Sequence, residues 1–206
     1  MRSYNPNQTH TNMKPKIFVL FLITLLSFSS KGQNPQPKEF YSKEFGWRIK
    51  IPKGFKVLSE DEQKEIYKKS SEVLEDNYGI DTEGGKSLFI MRSGNFNQFE
   101  SNWDKFNPEE GSFEEQFSSL TETLLDIVES QMPTANIDSS SFRETIGGLD
   151  FYGFKITIKD DFNFKMEYLI YSRRFADKYF VLSIVTMDKE KQRQLLEVWR
   201  KSTFER

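Results

Sequence analysis

Catalysis needs groups that can attack, or can take and return a proton, and this sequence is short of them. It has no cysteine, so thiol nucleophiles, thiolate metal sites and disulfides are absent together. Its single histidine is His10, upstream of Met13, the expected true start, so the processed chain is expected to carry none. Ser-His-Asp and Cys-His catalysis and histidine-ligated metals are thereby excluded, and neither a tightly bound transition metal nor another cofactor is expected. Carboxylates, lysines, tyrosines and serines remain. Glu109, Glu110, Glu114 and Glu115 crowd a helix start, where negative charge offsets the helix dipole; a calcium site there lacks the spacing of oxygen ligands that such loops use. Ser139, Ser140 and Ser141 have no sequence neighbour able to activate a hydroxyl. Tyr168, Tyr171, Arg173 and Arg174 offer a cationic and aromatic face, but adjacent strand residues point to opposite sides, so the two arginines do not form one anion clamp. A non-catalytic protein is the expectation.

Two other stretches bear on recognition and shape. In SGNFNQFESNWDKFNPEEG, the aromatics Phe96, Phe99, Trp103 and Phe106 stand among polar residues. Such a set can form a platform for a partner, or it can plug the edge of a sheet. In GGLDFYGFKITIK, Phe154, Ile156 and Ile158 alternate with Lys155, Thr157 and Lys159, whereas Leu149 and Phe151 are apolar on the other parity. One inserted residue moves every later side chain of a strand to the opposite face. Gly153 lies between the two phases and is the expected bulge residue, which would return all five apolar residues to one buried side. Without a bulge, Leu149 and Phe151 face a second layer on the other side of the sheet.

The elements that would position these residues follow from periodicity and caps. EFGWRIKIPKGF alternates Trp47, Ile49 and Ile51 with Arg48 and Lys50 and stops at Pro52, a half-buried strand. Ser59 with Glu62, and Ser112 with Glu115, have the capping-box spacing. The first opens a helix with a narrow stripe of Ile66, Tyr67, Val73 and Leu74, closed by Gly79. The second places Phe113, Phe117, Leu120, Leu124, Ile127 and Val128 on one face and closes at Pro133. KSLFIMR, residues 86–92, reads as a short apolar strand. Residues 136–146 and 149–159 read as a hairpin around Gly147-Gly148, since two glycines accept the positive φ of a tight turn. FKMEYLIYSRRF and YFVLSIVTM extend the meander through a turn at Ala176, Asp177 and Lys178, and a last helix capped by Asp188 buries Leu195, Leu196 and Trp199. The class is α+β, an antiparallel sheet flanked by helices.

The front of the chain has a different character. Met13 is followed by Lys14 and Lys16, an apolar run from Ile17 to Phe28, and small residues at Ser30 and Gly32, the layout of a secretory signal peptide. Residues 1–12 then read as an over-extended start, 13–32 as the signal peptide, 33–39 as a Pro- and Gln-rich linker and 40–206 as one domain. The apolar run is shorter than the roughly 20 residues a membrane helix needs, so no transmembrane span is expected after processing. Of the 29 basic residues, Arg2, Lys14, Lys16 and Lys31 lie in the leader, which leaves 25 against 31 acids and a formal charge of −6. That balance suits a soluble surface and argues against nucleic-acid binding.

EFGWRIKIPKGF, ETIGGLDFYGF, YLIYSRRFADKYFVLSIVT and the closing WRKSTF together resemble the PsbP-like family, over about residues 40–204. That family includes the photosystem extrinsic subunit and a Ran-binding import factor. The resemblance implies an α/β/α sandwich and a function in binding, as an accessory subunit, periplasmic or surface factor, or adaptor; it brings no catalytic residues. The reading is an exported binding module, periplasmic or extracellular, that contacts a protein or envelope component. The alternative is a carrier of a small apolar ligand in an aromatic-lined pocket between sheet and helix.

Overall fold

Both long helices begin where a serine and a glutamate three residues apart satisfy each other's backbone. In the computed structural model, which describes residues 37–79, 85–160 and 164–205, helix α1 (Glu60–Tyr78) has a complete capping box between Ser59 and Glu62, and ends at Gly79 in the left-handed conformation. Helix α2 (Phe113–Gln131) repeats the box with Ser112 and Glu115. The signal peptide, and the linker up to residue 36, lie outside the described residues.

Among the described residues the strands fall into two antiparallel sheets. β1 (Glu39–Ser42), β2 (Trp47–Lys50) and β10 (Thr203–Phe204) form a small sheet with β2 in the middle. The main sheet has seven strands. It starts from β3 (Lys56–Val57), β4 (Lys86–Arg92) and β5 (Gln98–Lys105), continues through β6 (Asn136–Ile146), β7 (Leu149–Lys159), β8 (Lys165–Phe175) and β9 (Lys178–Thr186), and takes the order β3-β4-β5-β9-β8-β7-β6. Helix α3 (Lys189–Arg200), capped by Asp188, precedes β10.

The sheet is covered on both sides, and this settles the change of phase in β7. Phe154, Ile156 and Ile158 face α1 and α2, packing with Leu74, Phe117, Leu120, Leu124, Ile127 and Val128. Phe151 faces the other way, with Leu169, Tyr171, Phe180 and Leu182, onto Trp47 of the small sheet and Leu195 and Trp199 of α3. Gly153 is therefore not a bulge. It pairs with Phe142 in a β6–β7 register that runs unbroken from Asn136↔Lys159 to Ile146↔Leu149, and its φ is not positive. The expectation failed because it assumed one buried face, whereas a strand with two buried faces can carry apolar residues on both parities. The sheet's register shift lies instead in β4, between Ser87 and Phe89.

Gly147 and Gly148 do make the hairpin turn, with φ of 57° and 77°. The strand β5 has no counterpart in the expected elements. Its even positions, Gln98, Glu100 and Asn102, are polar yet buried, so alternation there signalled a loop. Among the described residues no helix is long and apolar enough to cross a membrane.

Candidate functional site

The four aromatics of the expected platform are not brought together on the surface. Phe99 lies in β5, fully buried against Trp47 and Trp199, and Phe106 is buried beneath the guanidinium of Arg174. Trp103 is half-buried, edge-on to Phe45 and flanked by the ammonium groups of Lys86 and Lys178. Phe96 alone is exposed. β5 is an interior strand of the sheet, between β4 and β9, and that position takes Phe99 into the core.

A different cluster reaches solvent. Between the first turns of α2 and the β6–β7 hairpin runs a groove of about 400 Å³, lined by Glu114, Phe117 and Ser118 on one wall and Ser141, Arg143 and Tyr152 on the other. The Arg143 guanidinium sits 4.2 Å above the centre of the Tyr152 ring and donates to its hydroxyl at 2.7 Å. That hydroxyl in turn donates to Glu114. Phe113 and Phe117 back the ring edge-on at 5.2 and 5.8 Å, which fixes its orientation. Sequence reading missed this set because Arg143, Tyr152 and Glu114 come from three elements; the facing pair Arg143↔Tyr152 was the readable clue once the hairpin was placed.

The electrostatics of the cluster oppose proton transfer. Donation to Glu114 raises the Tyr152 hydroxyl above the usual tyrosine value, and the same bond lowers Glu114 below the usual carboxylate value. A general acid or base works best with a pKa near the operating pH, and both shifts lead away from it. Glu100 does move toward neutrality. Burial raises its carboxyl to about 7 against the opposing hydrogen bonds of Asn102 and Gln98, but it is wholly enclosed beneath the helices and no substrate reaches it.

Several other charged side chains are engaged within the fold. Glu115 caps α2 through the Ser112 N–H and Glu110 accepts from Asn107, and among the described residues no group of three or more His, Cys, Asp or Glu is disposed to hold a metal. Arg173 donates to the Asp150 carbonyl while Arg174 turns to the opposite face. Tyr168 is buried beside Ser183, and Tyr171 donates to Glu144, which also holds Arg200. On the outer face of α3, Arg193 pairs with Glu190 and Glu197, and Lys201 with Glu197.

The solution structure of cyanobacterial PsbP from Synechocystis superposes with a TM-score of 0.53 over 87% of this chain and 99% of that one, at 7% identity. The fold is PsbP-like. Two weaker structural matches are a crystal structure from Bacteroides thetaiotaomicron, with TM-score 0.44, 13% identity and coverage of 83% of this chain and 49% of that one, and LpqN of Mycobacterium tuberculosis, involved in cell envelope biogenesis, with TM-score 0.40, 10% identity and coverage of 82% and 90%. No protein-family model and no curated protein matches the sequence.

Proposed function

We propose that this PsbP-like domain is an exported, non-catalytic binding module that docks on a protein or envelope partner through the face formed by α2 and the β6–β7 hairpin. The observation that carries the reading is Arg143 stacked on Tyr152, with Phe113 and Phe117 behind the ring and Glu114 at its rim. Arginine and tyrosine in a packed pocket are the residue types that dominate binding energy at protein interfaces, and a ring held in place before contact loses little freedom on binding. The protonation shifts of Tyr152 and Glu114 support binding over catalysis, and the leader at residues 13–32 supports export.

The carrier reading loses support because the space between sheet and helices is occupied. Leu120, Leu124 and Val128 of α2 meet Ile156, Ile158 and Ile170 of the sheet, all of them buried.

The test is capture of partners from the organism's own envelope fraction by the chain from Gln33 onward, compared with an Arg143→Ala/Tyr152→Ala variant. Capture should fall at least about tenfold, equivalent to about 1.4 kcal/mol, at a temperature where circular dichroism shows the variant still folded. Undiminished capture by the variant would refute the docking face. A stoichiometric apolar compound in organic extracts of the purified protein would instead make it a carrier.

A further inference from the structure

The main sheet is open at one edge. β6 is an 11-residue strand whose only strand partner among the described residues is β7, and residues 138–141 are exposed along it. The two-residue turn at Gly147-Gly148 makes Ile146 and Leu149 a hydrogen-bonded pair, and bonded pairs alternate from there. The backbone groups of Ile137, Ser139, Ser141, Arg143 and Thr145 consequently point outward. Proteins usually blunt such an edge with a proline, a bulge, a covering helix or projecting charge. Here the strand has no proline, its register is unbroken, and the α2 cluster reaches it at Ile137 while residues 138–141 stay exposed. Of its three charged side chains, Arg143 is drawn back onto Tyr152 and Glu144 onto Tyr171 and Arg200, which leaves Asp138 as the one exposed carboxylate along the 138–141 stretch.

We infer that β6 is a self-association edge, and that a second copy of this chain adds its own β6 antiparallel to it. Three observations select a second copy. A two-fold axis through Ser140 sets Ser139 opposite the partner copy's Ser141, Ile137 opposite Arg143, Asp138 opposite Phe142 and Asn136 opposite Glu144, so no like charges face each other. The three central serines are small and leave room for the second backbone. The opposite edge of the sheet ends in the two-residue β3, and the Ile90 carbonyl of β4 is taken by the Leu58 N–H. With one long open edge of the main sheet among the described residues, the contact is the same patch on both copies, which closes at a dimer and does not extend into a filament. The axis stands perpendicular to the sheet, so both α2 grooves open on the same side of the paired sheets.

The inference goes beyond the partner reading and is tested without it. Sedimentation velocity on the chain from Gln33 onward, which contains both hydrophobic cores, should show monomer passing to dimer between micromolar and near-millimolar concentration. A Ser139→Lys/Ser141→Lys variant places lysines opposite lysines across the axis and should stay monomeric, with an unchanged circular dichroism spectrum and thermal midpoint. The chain has no native cysteine, so Ser140→Cys reports the register directly. Directly opposed strand residues are close enough for a disulfide, and under mild oxidation this variant should cross-link into dimers much faster than Glu60→Cys on exposed α1. A monomer at every concentration, a dimer that survives the lysine pair, or Ser140→Cys cross-linking no faster than the control would each overturn the inference.

Discussion

The ring of Phe142 lies against the backbone of Gly153, its partner across the hairpin, in the space a side chain at position 153 would need. The same ring meets Tyr171 edge-on at 5.4 Å, so the missing side chain is replaced by one from the neighbouring strand. Gly153→Val should therefore destabilise through overpacking, by about 1–3 kcal/mol, with no contribution from a strained φ. Removing the ring separates the two causes. In urea melts, Gly153→Val should cost clearly less in a Phe142→Ala background than in the wild type. An equal cost in both backgrounds would return the explanation to the backbone.

At Gly147 the cause is different. Its φ is +57°, and an added Cβ would come within 2.9 Å of the Ser202 carbonyl oxygen. Gly147→Val combines a left-handed backbone with a clash against main chain that has nowhere to go, and should cost more than about 2 kcal/mol. Lys159→Thr, at the exposed far end of β7, should stay within about 0.5 kcal/mol of wild type. Melts in which Gly147→Val proves as mild as Lys159→Thr would contradict the turn assignment.

Glu100 gives stability an unusual slope with pH. Its carboxyl is raised by burial from 4.5 to about 7, so between those values the folded chain holds a proton that the unfolded chain has released. Its contribution is therefore intact below pH 4.5 and declines as pH rises through 7, by an amount on the order of 3 kcal/mol in all. Glu100→Gln, which keeps a neutral amide in the same place, should flatten this decline and be more stable than wild type at pH 8. Parallel stability profiles for the two proteins would show that Glu100 does not titrate in this range.

Glu167 acts with the opposite sign. Partial burial works to raise its carboxyl, yet the hydrogen bonds of Lys165, Gln192 and Lys155 hold it down to about 2. Its stabilisation is present above the ordinary value of 4.5 and is lost as pH falls toward 2. Glu167→Gln should be less stable than wild type at pH 6, and the gap should close by pH 2. A gap independent of pH would assign the loss to packing alone.

Local signals proved readable and long-range ones did not. Ser59, Ser112 and Asp188 marked three helix starts because a cap is a contact within a few residues. The Gly147-Gly148 hairpin was equally legible, since two positive φ values select the residue. β5 was hidden because Gln98, Glu100 and Asn102 are buried with their polar groups hydrogen-bonded to one another, and a polar row reads as solvent-facing until its neighbours are known. The second covering layer was hidden for a related reason. Leu149 and Phe151 showed that something apolar lay across from them, but its source is Trp47, Trp199 and Phe204, drawn from both ends of the domain. The Arg143–Tyr152–Glu114 cluster likewise depends on α2 approaching the hairpin, which no local pattern records.

The small sheet sets an order of events in time. β6 to β9 pair between sequence neighbours, and such local contacts form quickly. β2 must instead find β10, Arg48 opposite Thr203, and closing so long a loop carries the largest entropic cost. The meander can thus assemble while the polypeptide is still emerging, leaving Phe151 and Phe180 uncovered until the final residues arrive to seal Trp47 and Phe204 over them. The interval before that closure is when a newly made chain is most exposed to proteases and chaperones, and the arrival of Thr203 and Phe204 at β2 determines how long it lasts.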